Sequence, residues 1–367
     1  MFLKKTEKIN NFSKIVALAL LTVTLLWGLS SCGLLEKPWW QVYFTEPGQN
    51  KNTIVQSLIS YIKNSKRSIH IAAFEFNLSP VADALIAAKK QGVDVKWITD
   101  DEHGLLADKQ KDRGQLAELE QAGIPIKADN RAALMHDKYL IFDSQIVWTG
   151  STNLTLNDIL KNNNNVIIIK SPELARIFEK QFQERWDGKF DTSTPSTVES
   201  QKVTVRGTPI QVLFSPEDNV ASHLLPVIES AKSNIRFMTF SFTDDNLGTA
   251  VASRAKAGVD VKGIFEKRGS DNQYSELPML FCAGVPVRQD SNPANLHHKV
   301  FVIDKRIVIT GSYNFSSNAD KNNNENALII DNYDIAARYL DEFERLWAIA
   351  RQPDATKINC VTDKKVI

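Results

Sequence analysis

The sequence predicts two α/β domains of one design, each an α/β/α sandwich, related by a pseudo-twofold axis with an active site at their interface. Three observations predict this. Short runs rich in β-branched and aromatic residues alternate with segments of helical spacing, and that whole pattern occurs twice. A set of six residues also recurs in both copies at identical spacing: His136, Lys138, Asp143, Gly150, Ser151 and Asn153, then His297, Lys299, Asp304, Gly311, Ser312 and Asn314.

The first 31 residues stand apart from the fold. Lys4, Lys5, Lys8 and Lys14 precede an apolar run from Ile15 to Leu29, and small residues then lead to Cys32. This order reads as an export signal over 1–31. Leu29-Ser30-Ser31-Cys32 resembles a bacterial lipobox, which implies cleavage before Cys32, lipidation of its thiol and a membrane anchor, with the rest facing the periplasm or cell exterior. An uncleaved anchor helix is the alternative, because the run is only slightly short of a span. Gly33 stands where some Gram-negative lipoproteins carry an aspartate for inner-membrane retention, a hint toward the outer membrane in such an organism that leaves inner and outer membrane both open. Residues 32–40 read as a tether, in which Trp39 and Trp40 suit a membrane interface or packing of the first strand.

Removing 1–31 takes four lysines and Glu7 from totals of 44 basic and 43 acidic residues, so the remainder is slightly acidic. That is not the footprint of a general nucleic-acid binder, although a local basic groove stays open. Cys282 and Cys360 are the other two thiols; export permits a bridge between them, and two buried thiols are the equal alternative. No cysteine cluster suits zinc.

The duplication sets the domains at 41–186 and 210–350, with a linker over 187–209 and a tail over 351–367. Gln41-Val42-Tyr43-Phe44 matches Gln211-Val212-Leu213-Phe214, and Gly92-Val93-Asp94-Val95-Lys96 returns as Gly258-Val259-Asp260-Val261-Lys262. Ala122-Gly123-Ile124-Pro125 becomes Ala283-Gly284-Val285-Pro286, so the first copy holds five extra residues within 101–120. Phe182 and Trp186 of a closing helix are answered by Phe343 and Trp347. The linker is rich in Ser, Thr and Pro.

Within the first copy, 68–76, 93–98 and 138–142 suit buried strands. Residues 79–90 and 113–121 have helical spacing, the first with Ser79 as N-cap and Pro80 at the first helical position. The signature falls on a hairpin: Lys138 begins one strand, Asp143-Ser144 turns, and 145–149 returns to Gly150-Ser151. Positions two apart share a face, so His136 and Lys138 project together, as do His297 and Lys299. Glycine permits close backbone approach to a phosphate, and serine and asparagine supply neutral donors. Asp143 and Asp304 lie at the far turn and read as structural. Two imidazoles can share acid and base work, and two ammonium groups can neutralise a doubly negative transition state, which points to phosphoryl chemistry.

HDKYLIFD...GSTN and HHKVFVID...GSYN resemble the paired HKD motifs of the phospholipase D superfamily, over about residues 41 to 350. The resemblance implies two phospholipase D-like domains and a hydrolase needing no metal or other cofactor. One of His136 and His297 attacks phosphorus to form a phosphohistidine; the other protonates the departing alcohol and then activates water. Family precedent leans to His136 as nucleophile. Lys138, Lys299, Asn153 and Asn314 bind the non-bridging oxygens, with Ser151 and Ser312 in support.

Glu325 resembles the family's acidic position that orients a catalytic histidine, while the first copy has Asn164 there, so Glu325 is expected to make the histidines inequivalent. His298 should face away from Lys299 and serve structure. Asn162 to Asn165 and Asn322 to Asn324 read as polar loops feeding the cleft, and Glu75, opposite Ser241 in the repeat, as pocket-lining or structural. The expected substrate is a phospholipid headgroup phosphodiester, with transphosphatidylation as a side reaction, handled by a monomer held at the membrane through Cys32. A phosphodiesterase acting on DNA or RNA is the rival enzyme, and a surface module that only grips phosphate is the non-enzyme alternative.

Overall fold

A computed structural model describes residues 38–49, 53–193, 196–198 and 201–360; the export signal and Cys32 lie outside the described residues. The first half builds one sheet from β1 (Trp40–Phe44), β2 (Ser68–Ala73), β3 (Asp94–Thr99), β4 (Ile126–Ala128), β5 (Lys138–Phe142), β6 (Ile146–Gly150) and β7 (Asn165–Lys170), in the order β1-β7-β6-β5-β2-β3-β4. The second half repeats it with β9 (Thr208–Ser215), β10 (Asn234–Thr239), β11 (Asp260–Phe265), β12 (Val287–Gln289), β13 (Lys299–Ile303), β14 (Ile307–Gly311) and β15 (Glu325–Asp331), in the order β12-β11-β10-β13-β14-β15-β9. The α/β expectation therefore holds in both halves.

One face of the first sheet buries Ile69, Ile71, Val95, Trp97, Leu140 and Trp148 beneath helices Thr53–Asn64, Ser79–Lys90 and Gln115–Gln121. The other face meets helix Pro172–Trp186, whose Phe178 lies 5.0 Å from Tyr139 and 5.3 Å from Phe214 of the second half. Helices thus cover both faces, as apolar residues on both sides of a strand require. The closing helices are near copies. Phe182 stacks on Trp186 with Lys96 over the indole, and Phe343 stacks on Trp347 with Lys262 over it.

Both hairpins turn on two left-handed residues, Asp143 and Ser144 (φ 54° and 53°) and Asp304 and Lys305 (φ 52° and 55°). Each pair centres a β-turn closed by Gln145 N–H to Phe142 O or Arg306 N–H to Ile303 O, and that third loop residue precedes the strand pairs Phe142–Ile146 and Ile303–Ile307. Each aspartate also accepts hydrogen bonds from three consecutive backbone N–H groups, those of Lys66, Arg67 and Ser68 or of Lys232, Ser233 and Asn234.

Two boundaries differ from expectation. Helix Ser79–Lys90 starts one residue early, with Leu78 at the N-cap; the Ser79 hydroxyl instead accepts from Gln115 Nε2 at 3.2 Å. The linker is shorter than 187–209, because Gln201–Val205 forms β8, which pairs antiparallel with β9 and extends the second sheet. Cys282 and Cys360 are bonded, tying the tail to helix Glu276–Cys282. Among the described residues no helix is long and apolar enough to cross a membrane.

Candidate active site

The two halves exchange backbone at the site. His136 N–H donates to Asn324 O at 2.9 Å, and His297 N–H donates to Asn163 O at 2.8 Å. The asparagine runs are mostly buried stitching, with Asn322 exposed: Asn164, Asn165, Asn324 and nearby Asn326 have no exposure, and their amides bond across the halves, Asn164 to the His297 ring itself. Asn326 Nδ2 donates to Thr149 Oγ1, and Thr310 Oγ1 donates to Asn165 Oδ1, each at 2.9 Å. Buried amides must be paired, and here the pairing joins two domains.

Each imidazole is gripped at Nδ1 by the opposite half. Glu325 Oε2 lies 2.8 Å from His136 Nδ1, and Asn164 Oδ1 lies 2.9 Å from His297 Nδ1. A bonded Nδ1 leaves Nε2 as each ring's other polar atom. Lys138 Nζ donates to His136 O at 2.8 Å and Lys299 Nζ to His297 O at 3.0 Å, so each ammonium is anchored beside its own histidine. Both lysines act electrostatically on both histidines, which makes one site of the two motifs. Phe74 meets the His136 ring at 4.8 Å, and Phe240 meets the His297 ring at 4.9 Å.

Burial dominates the electrostatics. Burial and then Lys299 hold His297 down at about 3, and burial with Lys138 holds His136 well below its ordinary value. Lys138 is lowered by burial to about 8, with Glu325 opposing, and Lys299 falls further as Lys138 adds to its burial. Glu325 is pushed up by burial to about 8, against the pull of Lys138. Two crowded lysines favour uncharged imidazoles, and an anion bound between them would relieve that crowding.

Sequence comparison agrees with this geometry. The family model for the cardiolipin synthase, PLD-like domain matches residues 58–186 and again 224–347. The chain belongs to the phospholipase D superfamily. Human mitochondrial cardiolipin hydrolase is 34% identical over 148 residues, covering 40% of this chain and 58% of that protein. The phospholipase D of Rickettsia typhi is 31% identical over 134 residues, covering 36% of this chain and 66% of the relative. The chain thus spans roughly six-tenths of the length of these curated relatives. The crystal structure of phosphatidylserine synthase from Haemophilus influenzae shares the fold, with a TM-score of 0.67 at 16% identity over 87% of this chain and 89% of that one.

Several phospholipase D signature residues act differently from expectation. Ser151 Oγ donates to Asn164 Oδ1 at 2.8 Å and Ser312 Oγ accepts from Asn326 N–H at 2.9 Å, so the serines brace the strand behind the histidines. A Cβ on Gly150 (φ +149°) would stand 2.3 Å from Asn165 O, and one on Gly311 (φ +147°) 2.2 Å from Asn326 O. Close approach of the neighbouring strand explains these glycines without a phosphate. Asn153 and Asn314 each keep a buried Oδ1 without a partner. His298 is structural as expected, with Nε2 3.3 Å from Glu342 Oε1 and Nδ1 3.0 Å from Asn165 Nδ2.

Asp158 was missed. Its Oδ1 lies 3.3 Å from His297 Nδ1, and it receives a hydrogen bond from Asn164 Nδ2 at 2.7 Å. No spacing rule marks it, because its counterpart in the second copy is not acidic. The five extra residues of the first copy enter a π-helical turn, Asp101–Leu106, beside a cavity of about 320 Å³. Glu75 lines that cavity 3.7 Å from Arg113. Asp100, Asp101 and Asp129 approach within metal-binding range of one another, but Asp129 pairs with Arg131 at 3.2 Å and Asp100 accepts from backbone N–H groups of Glu102, His103 and Met135.

Proposed function

We propose that this chain is a phospholipase D-type phosphodiesterase that hydrolyses phospholipid headgroup phosphodiesters through a phosphohistidine, and that an alcohol in place of water gives transphosphatidylation. The observation that carries the reading is the pair of imidazoles, each held at Nδ1 from the opposite half and each sensing both lysines. His136 is the nucleophile in this reading: as Nε2 bonds phosphorus the ring becomes cationic, and Glu325 stands 2.8 Å behind Nδ1 to stabilise it. His297 gives a proton to the leaving oxygen and takes one back from water. Lys138, Lys299, Asn153 and Asn314 bind the non-bridging oxygens.

A lipid substrate suits the overall charge, and the relatives described as cardiolipin hydrolase and phospholipase D support it. Lipidated Cys32 would hold the enzyme at the surface where that substrate lies. The test is an assay of the mature protein, with chelator present, on mixed phospholipid vesicles and on single- and double-stranded DNA. Release of headgroup alone is the expected result. Cleavage of DNA alone would replace this reading with the nuclease, and phosphate binding without turnover of any diester would leave only a binding module.

A further inference from the structure

The register that carries Gly150 to Gly311 carries Asp158 to Ala319 and Asn164 to Glu325. In the first half the acid stands on the short helix Leu156–Leu160 and the amide at the strand start; in the second, a methyl group stands on helix Ser317–Lys321 and the acid at the strand start. Each half therefore keeps one carboxylate for this purpose, at exchanged places. Both carboxylates reach the opposite half's imidazole: Glu325 at 2.8 Å from His136 Nδ1, Asp158 at 3.3 Å from His297 Nδ1.

Asp158 is buried and fixed. Thr155 Oγ1 donates to Oδ2 at 2.9 Å, while Asn164 Nδ2 at 2.7 Å and Asn162 Nδ2 at 3.2 Å donate to Oδ1. Asn164 turns its other face to the site and accepts from His297 Nδ1 at 2.9 Å, so the amide links carboxylate to imidazole. Helix capping does not explain the acid. Thr155 caps the first helix and Ser316 caps the second, and the second cap forms with Ala319 in the acid's place. Lys299 and Lys138 both oppose charge on His297, and a neutral amide alone cannot offset them.

We propose that Asp158 is the positioning residue that makes His297 the proton donor, its charge supporting the imidazolium directly and through Asn164. This rests on the phosphodiesterase reading above. As His136 Nε2 bonds phosphorus, the bond from phosphorus to the leaving alcohol breaks and the proton on His297 Nε2 passes to that oxygen. Water then returns a proton to His297 as its oxygen displaces His136 from phosphorus.

Two dihexanoyl phosphatidic acid esters that differ only in the leaving group, ethanolamine or p-nitrophenol, test this, because p-nitrophenolate departs without a proton. Asp158→Asn is expected to lose ~10²-fold on the ethanolamine ester and to keep first-turnover release of p-nitrophenol within about threefold of wild type. Asp158→Ala/Asn164→Glu, which rebuilds the second half's layout, is expected to regain ethanolamine turnover to within about tenfold of wild type. Equal losses on both esters, no loss on either, or a folded double variant no better than Asp158→Ala would overturn the proposal. If wild type cleaves neither ester, the phospholipid reading fails instead, and a dinucleotide and a nucleoside p-nitrophenyl phosphate serve for the same comparison.

Discussion

The two halves agree in how they hold their lysines and pack their histidine rings and differ in what stands behind those rings. Each lysine donates to its own histidine's carbonyl, at 2.8 and 3.0 Å, and each imidazole meets a phenylalanine edge, at 4.8 and 4.9 Å. Behind the rings the likeness ends. Glu325 faces His136 where Asn164 faces His297, and Asp137 occupies the repeat position of His298. In the phosphodiesterase chemistry proposed above, the reacting phosphate would present like charges to both sides and a duplicated cradle would serve it, whereas the two histidines would have to differ in protonation; the residues behind them are where the two copies part.

The largest expected effect removes one histidine at a time. His136→Ala and His297→Ala should each lose about 10³-fold or more in diester turnover, because neither ring can do the other's work. With the p-nitrophenyl ester, His297→Ala should still form the covalent phosphoenzyme and accumulate it, whereas His136→Ala should form none. Phosphoenzyme in His136→Ala but not in His297→Ala would exchange the two assignments. Next in size is Glu325→Gln, which puts an amide behind both rings. It should cost ~10–10²-fold in turnover and shift phosphohistidine away from His136; an unchanged partition would show that Glu325 does not distinguish the rings.

What was legible in the sequence follows from the same comparison. The repeated alternation of strands and helices and the hairpin ends could be read because the same residues do the same work twice, as Lys96 over Trp186 and Lys262 over Trp347 do. Asp158 could not be read, since its partner position holds Ala319 and the signal lay in the repeat's failure. The asparagine runs misled because polarity marks solvent in most chains; here Asn164 and Asn324 bond across a domain boundary and have no exposure. For Gly150 and Gly311 the structure adds a reason absent from the sequence, the close approach of a neighbouring strand. β8 was hidden because its short QKVTV run follows directly on Ser- and Thr-rich residues that read as a linker.

A pH experiment separates the halves without any substrate. Burial pushes the Asp137 carboxyl up to about 7, above its ordinary value of 3.8, so its contribution to stability is complete below pH 3.8 and is lost as pH rises through 7. Burial lowers His298 below 6.5, so its contribution is present above that pH and is lost on acidification. Asp137→Asn should therefore melt about 2–4 °C above wild type at pH 8 and lose that advantage toward pH 5. An advantage that grows on acidification would mean the carboxylate is paired and ionised in the fold.

The smallest effect is expected where the halves are most alike. Partial burial opposes ionisation of Asp143 and Asp304, but three backbone N–H groups on each carboxylate hold its pKa below the ordinary value. The stability they contribute is present above pH 3.8 and is lost as pH falls through the depressed pKa. Asp143→Asn and Asp304→Asn should each lose about 1–2 kcal/mol in urea unfolding at pH 7, by similar amounts, since charge-assisted hydrogen bonds become neutral ones. Turnover should stay within about twofold of wild type, because the turn lies a full strand away from the lysines. A large loss of turnover in one variant with stability intact would place that aspartate in the chemistry, and would make the far turn a second point of divergence between the halves.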